Sequence, residues 1–241
     1  MFKANDLEWA TFLFNAMGED HAYVRYSIKV MDSAKDGRPG KDIVGFLNHW
    51  RMRVSTSKIP VEIDKWYNSE GKDYLSSLPD LLQDIDLSGD SADIGVIYEL
   101  YNKLDGIDTI SDTSVSKILH ILRPSLFVMW DNEIRNYYVG DNRDGIKTYG
   151  PEAYIYFLRT MQKFTKELKK QSPEIVSKLN QSLKMLYEGN LEQIKNESEK
   201  KDMKEWIEFL AEKGKPLTKF LDEYNWITIT RHVKIPPAWH P

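Results

Sequence analysis

The sequence predicts an all-α, multi-helix globular fold. Three observations carry this reading. Apolar residues recur at helical spacing almost throughout, helix caps and stops sit at the ends of several of these runs, and strand-type alternation is confined to one short segment near the C-terminus. Asn5 or Asp6 caps a first helix carrying Leu7, Phe14 and Met17, which Gly18 ends. A second helix is expected from about Ala22 to Met31. After the loop Lys35 to Lys41, Ile43, Val44, Phe46, Leu47 and Trp50 mark a third. Pro60 and Pro79 punctuate the next region, with helices around Lys65 and Leu82. The spacing then predicts helices over Asp93 to Leu104 and over Ser114 to Leu122, the latter stopped by Pro124. A short helix begins at Asp131, and a polar loop occupies Gly140 to Gly150. Long helices start at Pro151 and Pro173, and two more surround Trp206 and Phe220. The alternating, β-branched run from Trp226 to Val233 predicts one short terminal strand. Glu192 to Lys204, rich in Lys and Glu, suits either a linker or an exposed helix.

Residues 1–241 are expected to form a single globular helical unit, arranged as one domain or as two lobes around a cleft. A chain of this length buries a core without staples, and seven Trp and thirteen Tyr supply large apolar bodies for it. The absence of Cys excludes disulfides, thiolate catalysis and Cys-built zinc or iron–sulfur sites. Acids interrupt the N-terminal apolar stretch, unlike a signal peptide, and no uncharged apolar run is long enough to span a bilayer. A cytoplasmic protein without a membrane partner is therefore expected. The net charge of −4 argues against indiscriminate nucleic-acid binding. Arg51 and Arg53, or Lys166, Lys169 and Lys170, could still form a local basic face.

One stretch is informative about chemistry. From Leu104 the chain reads as the end of a helix, a turn at Gly106, a second helix, a Pro-broken connection, and the apolar run Leu126 to Trp130 leading to Asp131. The carboxylate of Asp131 thus opens a helix at the edge of the core. Read from the residues alone, it is either a helix N-cap or a partly desolvated functional group.

This arrangement resembles the helix-hairpin-helix DNA glycosylases over Leu104 to Tyr138. In that family a Leu-Pro-Gly-Val-Gly turn opens a helix beginning Lys-Thr-Ala or similar, and an apolar segment with a Pro leads to Val-Asp-Thr-His-Val, whose Asp is the catalytic acid. Here Leu104-Asp105-Gly106-Ile107 stands for the turn, Thr113-Ser114-Val115 for the helix start, and Trp130-Asp131-Asn132-Glu133-Ile134 for the Asp motif. The resemblance implies a two-lobed helical architecture, with the hairpin and Asp motif at 93–138, and a nucleic-acid-binding protein with Asp131 as catalytic residue. It implies DNA contacts from Gly106, Thr113, Ser114, Lys117 and Arg135, and a base pocket lined by Trp130, Tyr137 and Tyr138. It calls for no cofactor and no metal. The chain departs from the family pattern at Asp108, which replaces the second turn glycine, and at Glu133, which replaces the motif's His. Thr113 stands where bifunctional members carry a Schiff-base lysine, with Lys117 one helical turn further along. The implied activity is accordingly that of a monofunctional base-excising glycosylase. The alternative is a non-catalytic helical scaffold acting through a protein partner, which the net charge and the acidic turn favour.

Other signals rank lower. His21, His49, His120, His232 and His240 form no metal-ligand spacing. The run Asp141 to Gly145 lacks the acid spacing of a calcium loop, and Gly37-Arg38-Pro39-Gly40-Lys41 is too short for a P-loop, although it precedes a helix start and could hold a phosphate.

Overall fold

A computed structural model of the chain describes residues 3–18, 21–140 and 147–236. It is 71% helical, without a strand among those residues. The helices are α1 (Ala4–Ala16), α2 (His21–Lys35), α3 (Gly40–His49), α4 (Ile59–Trp66), α5 (Lys72–Ser77), α6 (Ala92–Asp105), α7 (Asp112–Leu122), α8 (Asn132–Val139), α9 (Pro151–Gln171), α10 (Ile175–Leu191), α11 (Glu197–Glu212) and α12 (Leu217–Asn225). Two five-residue π turns, Tyr67–Gly71 and Trp226–Thr230, and a short 3-10 turn at Leu82–Asp84 complete the set among the described residues.

The caps follow from local chemistry. Ser91 and Ser111 accept the N–H groups of Ile94 and Ser114 at the starts of α6 and α7, and Asn196 does the same for α11. At α3 the first helical residue, Gly40, lies against the Pro60 carbonyl so closely that a side chain would clash with it, and its N–H donates to Asp64 Oδ1 at 2.6 Å. A carboxylate therefore already occupies the helix start that the Gly37–Lys41 turn offered to a phosphate.

Helix α7 lies at the centre, against α2, α3 and α6, while α9 backs α6, α8 and α12. One continuous apolar cluster runs from Leu7 to Ile229 and contains Ile118, Leu119, Leu126 and Phe127, with Leu122 half-buried against it. Each such side chain removed from water contributes about 1.5–3 kcal/mol. Ala10, Phe14 and Ile227 form a smaller cluster where α1 meets the last π turn.

One expectation needs correction. The run Trp226 to Val233 is not a strand: α12 continues into the π turn, with Arg231 N–H reaching back five residues to the Trp226 carbonyl at 2.9 Å. Its alternation is nonetheless used, because Ile227 and Ile229 are buried while Trp226, Thr228 and Thr230 are half-buried. For Glu192 to Lys204 the exposed-helix alternative holds from Glu197 onward. Only a short connection separates α10 from α11, and the two pack together as a hairpin. The Asp141 to Gly145 loop and His240 lie outside the described residues.

Candidate functional site

Helix α7 presents three faces. Val115, Ile118 and Leu119 fill the core. Ser116 and His120, one turn apart, hold the extended chain at 127–130, which has no strand partner for its backbone. Ser116 Oγ accepts the Trp130 N–H at 3.2 Å, His120 Nδ1 meets the Phe127 carbonyl at 2.6 Å, and Tyr154 from α9 donates to the Val128 carbonyl at 2.9 Å. These bonds satisfy buried groups that water would otherwise have to reach. Burial pushes the His120 pKa down to about 4. The neutral ring donates from Nδ1 to Phe127, leaving Nε2 to accept the Tyr23 hydroxyl at 3.2 Å.

The extended segment delivers Asp131 to the N-cap of α8. Its Oδ1 accepts the Ile134 N–H at 2.8 Å, and its Oδ2 accepts the Thr230 hydroxyl at 2.7 Å. A cavity of about 200 Å3 adjoins the carboxylate. Phe14, Trp50, Trp130 and Trp226 give it aromatic walls, and its polar lining consists of Thr113, Lys117, Asp131 and Asp222. Thr113 and Lys117 form the third face of α7, again one turn apart.

The depth of these groups differs. Thr113 and Asp131 are half-buried, whereas Lys117 is 8% and Asp222 7% exposed. The Lys117 ammonium lies 5.2 Å from the centre of the Trp50 ring and has no hydrogen-bond acceptor or ion-pair partner among the described residues. Burial lowers its pKa, opposed by the charges of Asp222 and then Asp131. Asp222 is held from behind by Lys219 at 2.9 Å, part of a buried network in which Lys219 also faces Glu223 at 3.7 Å and Glu223 pairs with Lys215 at 2.9 Å.

One loop that lines the cavity carries strain and positive charge. Trp50 and Met52 come from the loop after α3, which Asn48 closes by bonding both the N–H and the carbonyl of Val54, at 2.7 and 2.8 Å. Within it Arg51 and Arg53 are exposed and take the left-handed conformation, with φ of 59° and 55°. Side-chain-bearing residues adopt this at a cost of about 1–3 kcal/mol, and such strain collects at functional sites. Arg231 covers Trp226 at 4.8 Å.

The residues singled out from the sequence divide accordingly. Asp131, Lys117, Thr113 and Trp130 meet at this cavity, but Lys117 faces inward rather than toward a surface phosphate. Ser114 is fully buried beside Ser111, out of reach of a backbone ligand. Arg135 is committed to Asp112 at 3.0 Å, and Asp112 also binds the Tyr101 hydroxyl and the Gly150 N–H. Gly106 is exposed in a right-handed conformation, with its N–H already donated to the Asn102 carbonyl, and Asp108 faces Lys58 at 3.8 Å. Tyr137 and Tyr138 open onto other clefts, and Tyr138 donates to Asn225. Phe14, Trp50, Trp226, Asp222 and Thr230 complete the site, and sequence reasoning missed all five. The one available signal was Trp50-Arg51-Met52-Arg53, which sets an aromatic beside two cations.

No family model, curated protein or solved structure matches the chain. No helix among the described residues is long and apolar enough to cross a membrane.

Proposed function

We propose that the chain binds nucleic acid and acts as a monofunctional base-excising hydrolase of the DNA-glycosylase kind, receiving a flipped-out base in the Asp131 cavity. One observation carries the reading: a fixed carboxylate and a buried, unpaired amine share a single aromatic-walled cavity of about 200 Å3. A protein cavity of about 150 Å3 takes up benzene, so the space suits one flat heterocycle. Aromatic walls match a base lifted out of the stack. The order of depth fits as well. A base lying against Lys117 and Asp222 leaves its sugar at the mouth, beside Asp131.

Asp131 would then stabilise the positive charge that develops on the sugar as the base departs, and orient the attacking water. Its two hydrogen bonds, from Ile134 and Thr230, fix the carboxylate without exhausting it, because each oxygen keeps a further lone pair. Lys117 addresses the base rather than the sugar carbon, consistent with a monofunctional reaction. Arg51 and Arg53 supply phosphate contacts at the rim.

The test is release of bases from oligonucleotides carrying a broad panel of damaged and mismatched bases. Wild type is expected to excise from at least one, and Asp131→Asn to lose most of that activity while remaining folded. Borohydride is expected to trap no covalent DNA adduct; a trapped adduct would transfer the nucleophile's role to Lys117. A second reading has its own support. Both Asp131 oxygens already serve structural bonds, as they would in a non-catalytic scaffold that acts through a protein partner. No excision across the panel, together with no gel shift at low salt, decides for that reading.

A further inference from the structure

A second cavity, of about 950 Å3, is lined by Lys215 of the buried charge network and shares no lining residue with the Asp131 cavity. It is a groove between α2, the C-terminal half of α9, α10 and the loop that leads into α12. Its volume falls within the ~300–1,000 Å3 typical of small-molecule sites.

Three features of its lining point to an anion. Helix α12 follows an N-cap, Pro216, that provides no side-chain cap, and the backbone N–H groups of Leu217 and Thr218, both lining residues, have no acceptor among the described residues. Buried N–H groups at a helix start form a ready anion site. Independently, Ser27 lines the same groove from α2 at 4% exposure, and its hydroxyl has no hydrogen-bond partner. A buried hydroxyl left unmatched is rare enough to require an explanation, and a ligand oxygen provides one. Charge agrees. Lys169, half-buried in the groove, has no carboxylate partner among the described residues, and exposed Lys213 touches the sulfur of Met31 at 3.9 Å and feels the charge of Asp32 without a direct ion pair. Lys184 is engaged with Glu188 at 3.7 Å, and the acids of the rim, Glu174 and Glu212, are exposed. Leu81, 38% exposed, and Val176 offer an apolar wall alongside.

We infer that this groove is a binding site for a small phosphorylated organic molecule. The phosphate sits at the start of α12, where it takes the free backbone N–H groups and the Ser27 hydroxyl, with Lys169 and Lys213 neutralising it. The organic body lies along Leu81 and Val176. The site is independent of the Asp131 cavity.

Calorimetric titration of the full chain at low ionic strength tests this, with phenyl phosphate, inorganic phosphate and phenol as probes. Phenyl phosphate should bind at least about tenfold more tightly than inorganic phosphate, a factor equivalent to ~1.4 kcal/mol, and phenol should not bind. Ser27→Ala and Lys169→Met should each weaken phenyl phosphate severalfold at an unchanged urea midpoint, while Asp131→Asn should bind it as wild type does. Absence of phenyl phosphate binding in the millimolar range overturns the inference. So does binding that neither groove variant alters, or binding that Asp131→Asn abolishes, which would place the ligand in the other cavity.

Discussion

Two buried lysines, Lys219 and Lys117, share aromatic surroundings and differ in their ion pairs. Both lie against aromatic rings: Lys219 sits 4.5 Å from Phe14 and 4.9 Å from Tyr23, and Lys117 sits 5.2 Å from Trp50. Phe14 separates their surroundings, belonging to the shell of Lys219 and to the wall of the cavity that Lys117 lines. Lys219, however, is answered by Asp222 at 2.9 Å and Glu223 at 3.7 Å, and Lys117 touches no carboxylate. A buried charge with partners is part of the framework. A buried charge without them, facing empty space, is a place for something else to bind.

The comparison is most severely tested at Glu223, which faces both Lys215 and Lys219. Glu223→Ala leaves two fully buried ammonium groups short of a partner and should cost about 3–5 kcal/mol, read as a fall in the urea midpoint. A variant as stable as wild type would show the network to be ornamental.

His120 comes next, a buried base whose hydrogen bonds require the neutral ring. The unfolded chain takes up this proton near pH 6.5, the folded chain only near 4. Between those values the unfolded state binds more protons, so stability must fall as the pH is lowered through that window. The whole loss is ~3 kcal/mol at about 1.4 kcal/mol per pH step. Urea midpoints at pH 7 and 4.5 should differ more for wild type than for His120→Gln, in which this contribution is absent.

Asp131 should give a smaller effect. Asp131→Ala removes the α8 cap and the Thr230 bond and should cost about 1–2 kcal/mol. Asp131→Asn keeps a capping oxygen and should cost only a few tenths of that range, so that lost activity would not be mistaken for lost structure.

Lys117→Met should have the smallest effect, neutral or slightly stabilising, since it replaces an unanswered cation with an apolar chain. Its signature is in the pH dependence. The pKa of Lys117 lies below the ordinary 10.5, so in the window beneath that value the unfolded state holds more protons and wild-type stability rises with pH. Equilibrium unfolding at pH 8 and 10 should show this rise diminished in Lys117→Met. Strong destabilisation would mean that Lys117 has a structural partner after all.

Much of this architecture was legible in the chain, and the limits have physical causes. Periodicity located the helices because each buries one stripe, and Asp131 announced itself as an N-cap because an acid followed an apolar run. The terminal run at Trp226 misled because β-branched alternation also suits a π turn wedged between α1 and α8, where tertiary burial outweighs local propensity. The site was half legible. Thr113, Lys117 and Asp131 are close in sequence and linked by α7, whereas Phe14, Trp50, Asp222 and Trp226 arrive from distant segments that only folding brings together. Ser114 and Lys117 show the remaining difficulty: three residues apart on one helix, they face different surroundings, and nothing local says which side meets the cavity.

The π turn at Trp226–Thr230 gives the end of α12 one residue more than an ordinary helical turn would need. That surplus sets the angular position of everything after it, including the hydroxyl that grips Asp131 from 99 residues away. Deleting Thr228 would let the segment relax into regular α-helix, with better backbone bonds, while swinging Thr230 by about 100° around the helix axis. The deletion would trade a more regular helix for a released carboxylate. Descendants of this chain are therefore expected to tolerate substitution in these five residues more readily than a change in their number.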